Sequence, residues 1–374
     1  MTHEVESLAY VKHTERDVPW HGLGVPVDRA MTAQEAIAFA GMDWEVEPRT
    51  VCTRRVDGSL VAHDGQVAVT RVTDDRVYQI TSAPYRPVQP RECVGFLDAL
   101  VGTGVAAYDT AGSLRHGAVI FTAANLDRRI DVAGIDRLDL YLMVRNSYDG
   151  SLPFGVDVTP IRPVCMNTVI FGVRGARRTW SMPPGGSPEQ QVRQAWRALG
   201  MAEEYTVALE TDLGRLVEQP VPLGDFERLT RRLGMVRTSA DRARWEADQK
   251  ALVGLFESSP TLSDEVRYTA YGALQTVIEH LDWSQPTSGS SGDTTAEVRM
   301  QTALGWSGHK PAVLRRMQHL LALEFDSRRS WGLDGKPNLD AHRPALAESP
   351  PRLDPQPGTQ AQEVVPPSFT RSGR

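Results

Sequence analysis

A strictly alternating segment, residues 138–145, places the strongest constraint on how this chain can fold. Leucine or valine stands at every second position, with Asp139, Tyr141, Met143 and Arg145 between them. Successive side chains of a β-strand point to opposite faces, so the pattern predicts a strand with an apolar face. Asp149-Gly150 follows, and both residues tolerate the positive φ of a tight hairpin turn. The alternation resumes at residues 154–158, which predicts a returning antiparallel strand.

Further turn signals extend this pattern toward the N-terminus. Asp57-Gly58 and Asp74-Asp75 each separate two strand-like runs. Thr32 followed by Glu35 is a capping box, which predicts a helix over residues 33–40, and Pro90 predicts the start of a second helix. Close hairpins of this kind favour antiparallel pairing. We therefore predict an α+β fold with a mainly antiparallel sheet domain, a few short helices, a helical C-terminal region and a disordered tail.

Beyond Ser187 the apolar period changes to that of a helix. Apolar stripes mark helices from Pro188 with a break near Gly200, over residues 240–257 and 266–281, and from about Pro311. After Gly332 the chain is rich in proline and poor in apolar residues, which is typical of disorder. The predicted organisation is an extended N-terminal arm (1–28), the mixed domain (29–186), a helical region packing on it (187–331) and the tail (332–374).

Composition excludes several classes of function. The net charge is -6, which argues against nucleic-acid coating by the whole protein or a polybasic membrane anchor. Three widely spaced cysteines fit a reducing cytoplasm and provide no zinc framework. The N-terminal residues lack an apolar signal core, and no run is long enough to span a bilayer. We expect a cytoplasmic protein with no membrane association, no cofactor and no metal.

A basic run interrupts this acidic chain between Asp157 and Glu189. It contains four arginines and no acidic residue: Arg162, Arg174, Arg177 and Arg178. Trp180 lies beside them. Arginines neutralise phosphates and aromatic faces stack unpaired bases, so the combination suits single-stranded nucleic acid. The competing interpretation, which is the more common outcome, is a solvated basic loop packed against acidic helices.

Other polar groups are weaker candidates. Arg115 lies in a predicted loop over residues 111–117 that could approach phosphate, although a plain hairpin connection is the simpler interpretation. Arg145 ends its strand; one hypothesis gives it a surface shared with Arg162, and the alternative is the ordinary polarity of a strand end. Trp20 and His21 belong to a dense patch in the arm, and packing is the better explanation for the histidine.

Cys165, Asn167 and Thr168 form a compact polar group in an apolar run. Cys165 would be a nucleophile if a histidine such as His116 lay beside it, but a thiol in such a run is more often a core residue. Asn167 and Thr168 are more simply explained as partners of backbone groups. Periodicity leaves open whether residues 164–173 form strand or helix.

Several motifs in order resemble those of one family. They are PWHGLG (19–24), DWEV (43–46), AGSLRHG (111–117), YLMVRNSYDGS (141–151), TPIRPVCMNT (159–168), AYGALQTVIEH (270–280) and ALGWSGHKPAVLRR (303–316). Together they are similar to the phage/plasmid-like proteins that carry the domain of unknown function 932. The resemblance implies a laterally transferred gene of a mobile genetic element, and it supplies no catalytic residues. Pro163 is a departure from the aliphatic residue common there.

Three hypotheses follow for the function. The first is an accessory protein in mobile-element replication or recombination that binds single-stranded DNA through the arginines. The second is an enzyme acting on nucleotides or nucleic acid around Cys165. The third is an interaction module that counters a host defence protein. Exposed edges of antiparallel sheets also make a homo-oligomer plausible.

Overall fold

The computed structural model describes residues 7–11, 25–162, 167–169, 178–181, 188–233, 239–284, 295–306 and 309–329. Residues up to Leu323 fall in one compact unit, and a second unit begins at Glu324. The predicted tail lies outside the described residues.

Eleven strands and nine α-helices are described. The strands are β1 Ser7–Val11, β2 Val25–Val27, β3 Val46–Arg54, β4 Leu60–Arg71, β5 Val77–Ser82, β6 Ala107–Leu114, β7 Val119–Val132, β8 Asp136–Ser147, β9 Gly155–Arg162, β10 Asn167–Thr168 and β11 Thr179–Ser181. The helices are α1 Ala33–Phe39, α2 Pro90–Gly95, α3 Asp98–Val101, α4 Pro188–Glu218, α5 Leu223–Leu233, α6 Ser239–Ser258, α7 Ala270–Glu279, α8 Thr295–Ala303 and α9 His309–Arg329, with a π-helical turn at His280–Ser284 after α7.

The strands form two sheets, which confirms the predicted α+β class. The large sheet has the order β10-β9-β8-β7-β6-β1-β2, with β11 also pairing with β9. Its neighbours are antiparallel except β1 and β2, which are parallel. Two expectations are corrected here. Residues 7–11 and 25–27 belong to this sheet rather than to an extended arm, and residues 111–114 are strand rather than loop, because β6 pairs with both β1 and β7.

The predicted central hairpin is β8 and β9. Their register runs without interruption from Asp139↔Ile161 to Arg145↔Gly155, so the predicted alternation of faces is confirmed. The face that carries Tyr141 and Met143 packs against Met300 and Leu304 at the end of α8. Helices α2 and α4 also pack against β7 and β8 and contribute nothing to that cluster, so they cover the opposite face. Polar residues in the sheet are buried because helices cover both of its faces.

The small sheet has the order β3-β4-β5 and contains both predicted turns. Tyr148, which follows β8, anchors it to the large sheet. Its ring stacks on Tyr78 of β5 with centroids 5.5 Å apart and meets the edge of Trp44 at 5.7 Å. The hydroxyl of Tyr148 donates to the carbonyl of Val88 over 2.7 Å. Away from this aromatic contact the small sheet extends into solvent.

The helices begin largely where the sequence predicts. The capping box at Thr32 and Glu35 is formed, and Gly41 ends α1 with a φ of +56°. The expected break at Gly200 is wrong, because α4 continues through it. One glycine costs a helix only about 1 kcal/mol, and Ala195, Leu199 and Ala202 bury one side of α4 around it.

Candidate functional site

Arg145 lies inside the protein rather than on a basic surface. Its Nε is 2.7 Å from Oδ2 of Asp157, and the two side chains are 6% and 3% exposed. Its Nη1 donates to the carbonyl of Pro153 over 2.7 Å. Arg145 pairs with Gly155 in the register, so Asp157 is its diagonal neighbour on the same face of the sheet. The ion pair therefore belongs to the packed interior.

Asp157 is the centre of a larger polar cluster. The indole nitrogen of Trp306 lies 3.3 Å from the same Oδ2. Burial by itself raises the pKa of Asp157, but the positive charges of Arg145 and Arg178 and hydrogen bonds outweigh it, so the pKa lies below its usual value. Two guanidinium groups thus act on one carboxylate.

Of the predicted basic run, the structure describes Arg178 and Trp180 beside the large sheet, where strand β11 pairs with β9. Thr179 pairs with Asp157 and Ser181 with Gly155. Val158 donates its N–H to the carbonyl of Arg178 over 2.8 Å, so the pairing extends to Arg178. Residues two apart on a strand share a face, which places Arg178 and Trp180 side by side. Both are half-buried, and Thr179 and Ser181 between and after them are exposed.

Gly155 makes this pairing possible. A Cβ added at this position would lie 2.6 Å from the carbonyl oxygen of Trp180 and 3.3 Å from Cα of Ser181. Any larger side chain would therefore push β11 away from β9. The sequence contains the glycine, but only the pairing of the two strands reveals why it is needed.

Arg162 lies on the opposite face from Arg145, so the expectation that the two share a surface is wrong. Its Nε donates to Asp136, and its Nη2 donates to the carbonyl of Thr261 over 2.7 Å. Tyr271 of α7 donates its hydroxyl to the same carboxylate over 3.0 Å. Arg162 is 3% exposed. Arg162 therefore connects the sheet to the helical region, and its guanidinium is not accessible to a nucleic acid.

Arg115 is separate from both arginines. It lies in the turn between β6 and β7 with a φ of +57°, and its guanidinium is 3.0 Å from the carboxylate of Asp149. Arg115, Arg145 and Arg162 do not form one basic face, because each meets a different carboxylate from the sheet or its turns. Arg174 and Arg177 lie outside the described residues.

The polar group at residues 165–168 is described only in part. Cys165 lies outside the described residues, as do Trp20 and His21. Asn167 and Thr168 form β10, which pairs with Arg162 and Ile161, so these two residues are strand. The backbone N–H of Thr168 donates to Asp282 over 3.4 Å, whereas its buried hydroxyl has no hydrogen-bond partner among the described residues. The expected role of this side chain as a partner of backbone groups therefore stays a prediction.

Lys310 is a buried charged residue that the sequence does not reveal. Its Nζ lies 2.7 Å from both carboxylate oxygens of Asp282 and 3.1 Å from the carbonyl of Ala303, and the lysine is fully buried. Burial raises the pKa of Asp282, and Lys310 opposes that rise. This ion pair joins the π-helical turn to the start of α9 beside β10. A lysine at the start of an amphipathic helix is usually exposed, so the sequence does not predict that Lys310 is buried.

The described residues provide no group of three or more histidines, cysteines, aspartates or glutamates placed to hold a metal ion. Cys93 is buried, and burial raises the pKa of its thiol, so it is a poor nucleophile. Among the described helices none is long and apolar enough to cross a bilayer.

Fold and site together define an α+β protein whose antiparallel sheet is covered by helices on both faces and held by buried ion pairs. The chain belongs to the family described as a domain of unknown function, DUF932, whose model matches residues 77–304. The matched segment runs from β5 through Leu304, just after α8, and includes Asp157, Arg178 and Asp282, whereas Lys310 lies beyond it. Neither the curated proteins nor the solved structures include a match to this chain.

Proposed function

We propose that this protein binds single-stranded nucleic acid in the cytoplasm, as an accessory protein in the replication or recombination of phages and plasmids. One observation carries the proposal: Arg178 and Trp180 lie on the same face of the edge strand β11, both partly accessible. An arginine beside an indole can hold a phosphate while the next base stacks on the ring.

The electrostatics at this edge support the proposal. The charge of Arg178 acts on Asp157, and that carboxylate is already bound to Arg145 at 2.7 Å. A phosphate at β11 would therefore meet a positive charge that is only partly compensated. In this proposal Arg145 and Arg162 do not contact the nucleic acid, because both side chains are buried.

The context supports the same function. The motifs resemble phage/plasmid-like proteins, and mobile elements expose single strands when they replicate and recombine. Single-strand binding without sequence readout needs only a contact to the phosphate backbone and a stacking surface. Arg178, just before β11, and Trp180 within it offer one of each within three residues.

The test is the affinity of the full chain for fluorescently labelled oligothymidylate of about 16 nucleotides, a length that covers common site sizes. Trp180→Ala is expected to weaken binding roughly 5- to 150-fold, the loss of one stacked base at ~1–3 kcal/mol. Arg178→Ala is expected to lower the slope of log affinity against log salt by about 0.7.

Matched controls exist elsewhere in the chain. Trp196 on α4 is 43% exposed, and the side chain of Arg231 on α5 is 60% exposed. Trp196→Ala and Arg231→Ala remove the same groups from helices outside β11 and should leave the affinity unchanged. The proposal fails if wild type has no measurable affinity at low salt, or if Trp196→Ala costs as much as Trp180→Ala.

A further inference from the structure

The end of the small sheet forms a two-stranded ribbon, which we term the β-arm, residues 51–62. Its pairs are Cys52↔Ala62, Thr53↔Val61 and Arg54↔Leu60, and a bulge after Thr50 separates it from the rest of the sheet. Strand β5 pairs only with residues 66–70 of β4, so it does not support the arm. Nine consecutive residues, 52–60, are exposed. An isolated ribbon of this kind is marginal in water.

The tip of the β-arm is nevertheless well ordered. Arg55 donates its N–H to the carbonyl of Ser59 over 2.8 Å, and Gly58 donates to the carbonyl of Arg55 over 3.0 Å. Asp57 accepts hydrogen bonds from the N–H and the hydroxyl of Ser59 at 2.9 and 2.7 Å. Gly58 has a φ of +89°, which suits glycine. The tip therefore presents its side chains in a fixed arrangement.

The side chains at the tip are cationic and apolar. Arg54 and Arg55 are exposed, and neither has an ion pair within the described part of the chain, whereas Arg49 and Arg71 of the same sheet are paired with carboxylates. Val56 between them and the turn is fully exposed at 109%, and Leu60 is 64% exposed. Asp57 is the one acidic residue of the arm, so two arginines oppose one carboxylate.

We propose that the β-arm binds duplex nucleic acid by entering a groove, with Arg54 and Arg55 on the phosphates and Val56 against the bases. A two-stranded ribbon fits the major groove of B-DNA, and exposed apolar side chains flanked by arginines are typical of groove-binding arms. The charge of the tip is complementary to a polyanion. This contact uses none of the residues of the proposed single-strand site, Arg178 and Trp180.

The experiment measures binding of the full chain to a labelled blunt duplex of two helical turns, about 21 base pairs, in parallel with the single strand used above. Arg54→Ala combined with Arg55→Ala is expected to lower the salt slope for the duplex by about 2, while the affinity for oligothymidylate is retained. Trp180→Ala should instead lower the affinity for oligothymidylate and leave binding to the duplex unchanged. Val56→Asp, which places a carboxylate at the tip, should also abolish duplex binding.

The matched control is Arg231→Ala combined with Arg242→Ala, which removes the same charge from two exposed helical positions. The inference is overturned if wild type does not bind the duplex. It is overturned equally if this control variant loses as much duplex affinity as Arg54→Ala with Arg55→Ala. It is also overturned if Val56→Asp converts an oligomer to a monomer in light scattering, because the arm would then be covered by a second copy. Wild-type protein that binds the duplex but has no affinity for oligothymidylate would contradict the proposed function and leave the β-arm inference standing.

Discussion

Arg145 and Asp157 form an ion pair with 2.7 Å between Nε and Oδ2, with both side chains almost fully buried. Burying two charges costs more than an exposed pair gains, so such a pair is retained only where its hydrogen bonds are complete. The carbonyl of Pro153 and the indole of Trp306 complete them here. An arginine that looks like a surface cation in the sequence therefore stabilises the interior.

Replacing Asp157 should make the stability depend on pH in a defined direction. Its pKa in the folded protein lies below the usual value, so its charge stabilises the fold above about pH 4. That contribution is lost as the pH falls through the folded-state pKa. The free energy of unfolding of Asp157→Asn should lie about 3–5 kcal/mol below wild type near neutral pH. This difference in the free energy of unfolding between wild type and Asp157→Asn should narrow below about pH 4.

Urea denaturation across this pH range measures the gap. Asp264→Asn is the control, because the side chain of Asp264 is fully exposed and should give a curve close to wild type at every pH. A gap for Asp157→Asn that stayed constant down to pH 2 would mean that its charge is not what stabilises the fold.

Removing Lys310 should leave Asp282 as an unpaired buried carboxylate. Lys310→Met is expected to lower the free energy of unfolding by about 3–5 kcal/mol near neutral pH. Burial raises the pKa of Asp282, so its neutral form becomes available as the pH falls and the loss should shrink in acid. Combining Lys310→Met with Asp282→Leu should recover much of the stability, measured by thermal and urea denaturation. A double variant no better than the single one would contradict this account.

Gly155→Ala should displace β11. The added Cβ would lie 2.6 Å from the carbonyl of Trp180, and overpacking of this kind typically costs about 1–3 kcal/mol. Hydrogen exchange of the amides in β11 should accelerate, and affinity for single strands should fall without a change in duplex binding. Gly200→Ala is the control: its Cβ meets open space, so it should raise stability by up to about 1 kcal/mol.

Removing the β-arm should leave the rest of the fold intact. Replacing residues 53–61 with Asn-Gly joins Cys52 and Ala62 by a favoured two-residue turn. Because these residues are exposed or nearly so, the thermal midpoint should stay within about 4 °C of wild type. Tyr148→Ala, at the buried base of the same sheet, should instead cost about 3–5 kcal/mol. A large fall in the midpoint on removing the arm would show that it packs against the body.

Local order was predictable from short segments. The capping box at Thr32, the turns at Asp57 and Asp149, and the period of residues 138–145 each depend on neighbouring residues and appear as expected. The site was less predictable. Trp180 and Arg178 were identified as neighbours, but the strand pairing that sets Trp180 opposite Val156 joins segments about 20 residues apart.

The sequence alone determined the fold class, the hairpin order and the start of most helices, because backbone preferences and side-chain periodicity act over a few residues. Only the tertiary structure decided which arginines are available. Arg145 and Arg162 look equivalent in the sequence, yet strand register places them on opposite faces, and each meets a carboxylate in the interior. Burial and charge pairing depend on contacts between distant segments, so no local pattern records them.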